Sequence, residues 1–259
     1  IRCIAHSHSS NSNFNKLTKA LHTLNKTRIN KLTDVRLACS NPAGRFIFGN
    51  RDFEIIKNGI DTDRFSFSPE YRDEIRREFD IGERFMLCHV GMFAPVKNHE
   101  FLTEVFASLV KKRPDSVLFL VGTGSGQEKI REKVSALGLD ENVIFAGRRT
   151  DVEKIMSAAD AFALPSRFEG LPLVLVEAQS SGLNCFASTG VPEEAKLLDN
   201  FEFIPLDIGA EAWADRILSA APNPNRVSAA SEVAELGYNC KLTAARVEDI
   251  YSQQTELCR

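Results

Sequence analysis

The sequence predicts a doubly wound α/β protein, and three observations predict it. Short apolar runs recur along the chain, most of them without polar alternation, as parallel strands covered on both faces require. Polar loops and amphipathic helical stretches separate them, so strand and helix alternate. The composition supplies a packed core: of 259 residues, 43% are hydrophobic and 26% charged, which excludes collagen-like, disordered and disulfide-scaffold chains.

The elements follow in order. Ile4-Ala5-His6 reads as a strand, and Leu17, Leu21 and Leu24 then recur at helical spacing with Lys16, Lys19 and Lys26 around them. Val35-Arg36-Leu37-Ala38-Cys39 and Phe53-Glu54-Ile55-Ile56 are the next strands, and a turn-rich break follows at residues 58–65. The βα repetition restarts with Phe85-Met86-Leu87-Cys88-His89-Val90. Residues 99–113 form a helix whose apolar stripe is Phe101, Leu102, Val105, Phe106, Leu109 and Val110, and Pro114 ends it. Further strands are Val117-Leu118-Phe119-Leu120-Val121, Val143-Ile144-Phe145, Ala161-Phe162-Ala163-Leu164 and Asn184-Cys185-Phe186-Ala187. Pro222-Asn223-Pro224 interrupts the chain, and residues 226–236 and 242–257 are helical. The expected organisation is therefore a C-terminal portion of a first Rossmann-like domain at 1–58, a hinge at 59–66, one complete α/β domain at 67–221 and C-terminal helices at 222–259. The chain opens on Ile1, in strand-like residues, and reads as part of a longer protein lacking most of its first domain.

Charge and cysteine usage narrow the setting. Residues 1–50 carry eight basic residues against Asp34 alone, a balance of +7, whereas the remainder carries 24 basic and 34 acidic residues, a balance of −10. Two segments of opposite character suggest two domains, the first facing something anionic. The basic residues show no interleaved aromatics, which argues against nucleic acid. Six cysteines stand singly without a C-x-x-C, which argues against zinc and disulfides and fits a reducing cytoplasm. No run approaches the ~20 apolar residues of a membrane span, and the first residues form no signal peptide. The leucines and lysines of residues 16–26 fit either a core helix or one lying on an anionic membrane.

In such sheets ligands bind beyond the carboxyl ends of the strands. Gly91-Met92-Phe93-Ala94-Pro95-Val96-Lys97-Asn98-His99 sets Lys97 beside a helix start, suited to phosphate or simply to solvent. Gly122-Thr123-Gly124-Ser125-Gly126 is a tight strand-to-helix turn or a nucleotide contact; Gln127 spoils the G-x-G-x-x-G fingerprint. Arg148-Arg149 after the next strand suits a diphosphate, a base edge or a solvated loop. The richest segment is Ser166-Arg167-Phe168-Glu169-Gly170-Leu171-Pro172-Leu173-Val174-Leu175-Val176-Glu177. Pro172 suits a first helical turn, placing Glu169 on the loop before the helix and Glu177 more than a turn inside it. Glu177 interrupts an apolar face and needs partners there, which hydroxyl donors supply, while Gly170 and Leu171 present N–H groups at a helix start; an acidic cap and a satisfied core glutamate are the plain alternative. His6 and His8 stand at the end of the first strand, suited to bonding a sugar or polarising an acceptor, or to a polar loop with no role; no carboxylate or cysteine stands nearby to complete a metal site. Asp61-Thr62-Asp63 has the spacing of a cation-holding pair, but it lies in the hinge away from any strand end and reads as a turn.

Together these residues resemble the retaining glycosyltransferases of family 4, with the two-domain GT-B fold, and are most similar to bacterial transferases of capsule and exopolysaccharide synthesis. The resemblance runs from His6 to about Leu218 and is carried by Asn58-Gly59-Ile60-Asp61, Val90-Gly91-x-Phe93 with Lys97-Asn98-His99, Val121-Gly122-x-Gly124, Ala146-Gly147-Arg148, and the E-x7-E signature of Glu169-Gly170-Leu171-Pro172 with Glu177. It implies transfer of a hexose, with retention and without a metal or other cofactor, from a nucleotide-diphosphate sugar, expected to be a uridine diphosphate sugar, to a hydroxyl. The acceptor is expected to be a glycan or lipid-linked glycan, reached from the cytoplasm at the inner face of the plasma membrane. Lys97, Glu169 and His8 are the implied catalytic residues. The donor site is implied at Gly91, Lys97, Gly122, Arg148, Glu169, Gly170, Leu171 and Glu177: Lys97 on the diphosphate, Glu169 on the hexose, Glu177 on the ribose and Arg148 near the base. Met92 stands where the family usually has arginine, and losing one charged partner costs about 1.5–3 kcal/mol. A sugar-nucleotide epimerase of the same fold and a non-catalytic nucleotide-sugar-binding domain are the alternatives.

Overall fold

The computed structural model describes residues 3–8 and 16–256, with side chains described for 3–8 and 21–253. Ser9 to Asn13 and the side chains of Lys16, Leu17 and Lys19, which the sequence reading used, lie outside the described residues. The chain forms two compact units, 1–60 with 237–259 and 61–236.

The first unit contains β1 (Ile4–Ser7), α1 (Lys16–Leu32), β2 (Val35–Ala38), α2 (Asn41–Phe48) and β3 (Glu54–Ile55). Its three strands are parallel in the order β1-β2-β3, with Ile4 opposite Val35 and Leu37 opposite Glu54. Ser40 starts α2 by accepting the Ala43 N–H at 3.3 Å, and Pro42 sits in the first turn, where its missing N–H costs nothing.

The second unit is built around a six-stranded parallel sheet of β4 (Phe85–Val90), β5 (Ser116–Val121), β6 (Val143–Gly147), β7 (Ala161–Leu164), β8 (Asn184–Ser188) and β9 (Phe201–Ile204). α3 (Pro69–Glu78) precedes the sheet, and between and after its strands come α4 (His99–Lys112), α5 (Gln127–Ala136), α6 (Val152–Ala158), α7 (Leu173–Ser180), α8 (Ala210–Ser219) and α9 (Ala229–Val233). Every residue of β5 and β7 is buried, which explains their unbroken apolar runs. Leu87, Leu118, Phe106 and Trp213 lie in one core with Val105 and Leu109 of α4. The strand order is β6-β5-β4-β7-β8-β9, so β4 and β7, far apart in sequence, lie side by side where the winding reverses. Their pairing ends at Cys88 opposite Phe162. Beyond it the strands separate, opening the crevice in which such sheets bind ligands.

Three features depart from the sequence expectation. β9 was not anticipated, because Phe201-Glu202-Phe203-Ile204 alternates as an edge strand does rather than running apolar throughout. The helix expected over 226–236 is shorter, since after α9 the backbone widens over residues 234–238 and Gly237 takes φ +88°. The C-terminal residues do not form one closing segment. α9 belongs to the second unit, whereas α10 (Cys240–Glu256) belongs to the first, where Ile250 is buried with Leu37 and Ile56.

Candidate functional site

The loop after β4, residues 91–98, is held from below by glycines. The Gly91 N–H donates to the Val121 carbonyl at 2.9 Å, Phe93 N–H to Thr123 at 3.1 Å and Gly126 N–H to Phe93 at 3.1 Å. A Cβ on Gly122 would stand 2.1 Å from the Gly91 carbonyl oxygen, and one on Gly124 2.8 Å from the Phe93 backbone. Gly122, at φ +136°, also gives its N–H to Gly147 at 2.8 Å. Gly122 thus supports the loop: its N–H is taken by Gly147, and its lack of a side chain admits the Gly91 carbonyl. So braced, the loop makes a short turn at Pro95–Lys97, and Asn98 in the left-handed region leads into α4.

Across the crevice the loop after β7 is tied to the first. Arg167 N–H donates to the Val96 carbonyl at 2.8 Å, and the Asn98 amide donates to the Pro165 carbonyl at 3.2 Å. Glu169 N–H bonds the Gly190 carbonyl at 3.1 Å, and the Ser188 hydroxyl bonds the Ser166 carbonyl. This scaffold sets the Lys97 ammonium 2.7 Å from the Glu169 carboxylate, with side chains 19% and 14% exposed. The pair spans the point where β4 and β7 part. Gly170 and Leu171 follow, and neither N–H has a partner among the described residues. A Cβ on Gly170 would meet nothing within 4 Å, so packing does not demand glycine there. The helix begins at Leu173 with Pro172 as its cap, one residue later than the sequence suggests, which leaves these N–H groups outside the helical ladder.

Glu177 lies one turn into α7, half-buried, and its carboxylate has no hydrogen bond among the described residues. Burial raises its pKa, the Arg64 guanidinium opposes that rise and the Glu153 carboxylate adds to it. Arg64 is itself anchored, donating to Glu153 at 2.7 Å and to the Thr150 carbonyl at 2.6 Å. Sequence reasoning missed Arg64 because it follows the Asp61-Thr62-Asp63 turn, which closes with the Arg64 N–H on the Asp61 carboxylate at 3.2 Å. The paired arginines after β6 divide. Arg149 is committed to Glu78 and Asp151, at 2.8 and 2.7 Å, while Arg148 is exposed with no ion pair among the described residues.

Met92 is 67% exposed and brings no charge to the loop. Two histidines to which the sequence reading gave no role flank the same loop: His89, in β4, and His99, at the start of α4. Their rings meet edge-on with centroids 4.6 Å apart, and His99 stacks on Phe93. Burial drives both pKa values down, to about 4 and about 3, so both rings are neutral. In the first unit, His8 bonds Asn58 through Nδ1 at 3.1 Å and its ring lies 4.1 Å from that of His6. Burial, then the neighbouring His8, lowers the His6 pKa.

The structure therefore brings Gly91, Lys97 and Glu169 together, with Gly170 and Leu171 next in the chain. It places Glu177 separately beside Arg64 and Glu153, and Arg148 on the loop after β6.

Comparison with known proteins gives consistent findings. The profile of the family described as Glycosyl transferases group 1 matches residues 71–236. EpsF of Bacillus subtilis (strain 168) is 33% identical over 228 residues, which are 85% of this chain and 59% of EpsF. The UDP-Gal:alpha-D-GlcNAc-diphosphoundecaprenol alpha-1,3-galactosyltransferase of Escherichia coli is 32% identical over 140 residues, 52% of this chain and 36% of that enzyme. The chain thus spans less than two thirds of these relatives. Among solved structures, HepE of Anabaena in complex with UDP superposes with a TM-score of 0.80 at 20% identity, over 97% of this chain and 72% of that one.

Proposed function

The chain belongs to the Glycosyl transferases group 1 family and has the GT-B type of fold, and on that premise we propose that the protein moves a hexose from a uridine diphosphate sugar to a hydroxyl of a glycan or lipid-linked glycan, retaining the anomeric configuration. Cell-surface polysaccharide synthesis is the proposed setting. No described helix is long and apolar enough to cross a membrane, and the acceptor is reached at the membrane surface from the cytoplasm.

The observation that carries this reading is the Lys97–Glu169 pair at the switch crevice, followed by the unpartnered N–H groups of Gly170 and Leu171. Breaking the anomeric bond puts negative charge on the diphosphate and positive charge on the ring. The Lys97 ammonium, together with N–H groups fixed before α7, stabilises the diphosphate at no cost in reorganisation. Glu169 accepts hexose hydroxyls and turns the sugar toward the acceptor. Glu177 accepts the ribose hydroxyls, and Arg148 borders the base. The acceptor attacks from the face the leaving group vacates, and the departing phosphate oxygen takes its proton, so neither an enzyme nucleophile nor a metal is needed.

The test is an assay of the full-length protein with UDP-hexoses and an undecaprenyl-diphosphate-linked glycan, with EDTA present and the product anomer read by NMR. The expected result is a retained α-linkage, with Lys97→Ala slower by roughly a hundredfold or more, as for removal of a charged transition-state contact. An inverted product, or turnover abolished by EDTA, would overturn the corresponding part of the proposal.

A further inference from the structure

His89 is the fifth residue of β4, one beyond the last partners of the β4–β7 ladder, Cys88 and Phe162. Its ring ties β4 to β7 beyond that point, with Nδ1 2.8 Å from the Ala163 carbonyl oxygen. A carbonyl only accepts, so the proton of the neutral ring sits on Nδ1 and Nε2 presents a bare lone pair. The side chain is fully buried, and Nε2 has no partner among the described residues. It looks past a residue that has no side chain: a Cβ on Gly91 would stand 3.1 Å from Nε2 and 3.5 Å from Cδ and Cε of Lys97. The charged and titratable groups around the ring are Lys97 from the loop after β4, Glu169 from the loop after β7 and His99 from α4. A buried polar atom without a partner costs stability, and a core strand has cheaper residues to offer.

Resting on the reading of this crevice as the donor's diphosphate and hexose site, we propose that His89 is a further donor-binding residue, whose Nε2 takes up a proton when the diphosphate enters and then donates to one of its oxygens. The imidazolium supplies the second positive charge that Met92 does not. The proton comes from solvent. Burial keeps the free ring neutral, and a multiply charged anion beside it reverses that balance. Protonation also satisfies Nε2, because both ring nitrogens of the cation are donors.

Calorimetric titration of the full-length protein with UDP, at neutral pH in two buffers of different ionisation enthalpy, counts the protons exchanged. The wild-type protein is expected to take up close to one proton per UDP. His89→Asn, whose amide still reaches the Ala163 carbonyl, is expected to take up none and to bind UDP roughly tenfold more weakly, as for loss of a charge-assisted bond. Glu169→Gln is expected to keep the uptake. The same event is read without substitution from the His89 imidazole nitrogen shifts, which pass from the neutral Nδ1–H pattern to that of the cation. UDP binding without proton uptake, equal uptake by His89→Asn, or loss of uptake in Glu169→Gln would each overturn the role of His89 alone. No UDP binding by the wild-type protein would bring down the donor-site reading along with it.

Discussion

A half-buried carboxylate without a hydrogen bond is a burden on a fold, and Glu177 is one. Burial holds its pKa above the ordinary glutamate value; Arg64 relieves this in part and Glu153 worsens it. The sign follows from proton binding. Between the ordinary glutamate pKa and the raised one, the folded protein holds more protons at this site than the unfolded chain, so stability falls as pH rises through that window. Glu177→Gln removes the cost of ionisation. The variant is expected to melt higher than wild type at neutral pH, with the difference shrinking as pH falls below the ordinary glutamate range. The same substitution removes a charged acceptor from the proposed ribose contact and weakens UDP binding by roughly ten- to a hundredfold, the scale of about 1.5–3 kcal/mol for a hydrogen bond to a charged group. Melting curves across pH, alongside UDP titrations, check both halves. A variant that melts lower at neutral pH and binds UDP as wild type does would make Glu177 a structural residue instead.

At the scale of the element, the glycines separate support from contact. Gly124→Ala drives a methyl to 2.8 Å from the Phe93 backbone, so the loop that carries Lys97 has to shift. Gly170→Ala meets nothing. The first change is expected to lower stability by about 1–3 kcal/mol, the usual cost of forcing extra volume into a packed site. The second is expected to leave the melting temperature within a degree or so, since surface changes of this kind stay within about 0.5 kcal/mol, and to weaken donor binding by crowding the Gly170 and Leu171 N–H groups. Thermal melts and UDP-sugar titrations distinguish the two, and equal melting temperatures for both variants would refute the separation. In sequence the two glycines look alike, each in a loop after an apolar strand; only the approach of Phe93 to Gly124 tells them apart. Lys97, Glu169 and Glu177 were legible because position relative to strand ends and a helix start is local information. His89 was not: within Phe85–Val90 it reads as one more strand residue, and its buried, unpartnered Nε2 follows from where the β4–β7 pairing stops, at Cys88 and Phe162. Arg64 was hidden for the same reason, since Glu153 and Glu177 reach it from α6 and α7.

For the whole molecule, the parallel sheet of the second unit was legible from unbroken apolar runs, but the return of the C-terminus to the first unit was not. The residues of α10 show an ordinary amphipathic pattern with nothing local to name their partner. Three observations fix it: Ile60 and Tyr238 bond through their backbones at 2.7 Å, Arg246 bonds Glu54 at 2.7 Å, and Ile250 packs with Leu37 and Ile56. Among the described residues the first unit's sheet has three strands, and β3 is two residues long. Small sheets need a helix on their faces to be stable, and here part of that cover arrives from the far end of the chain. Ile250 is 4% exposed, so Ile250→Ala opens a cavity in that small core, at a cost of about 2–5 kcal/mol. The expected outcome is selective. Limited proteolysis of the variant, read by mass spectrometry, should find new cleavage within residues 21–60 and 237–253, while 61–236 stays as resistant as in the wild type and keeps its UDP-dependent protection. The residues of the Lys97–Glu169 pair and Glu177 all lie within 61–236, so donor binding should survive loss of the first unit's core. Cleavage spread evenly over both units, or UDP protection lost together with the first unit, would mean that the donor site depends on α10 after all.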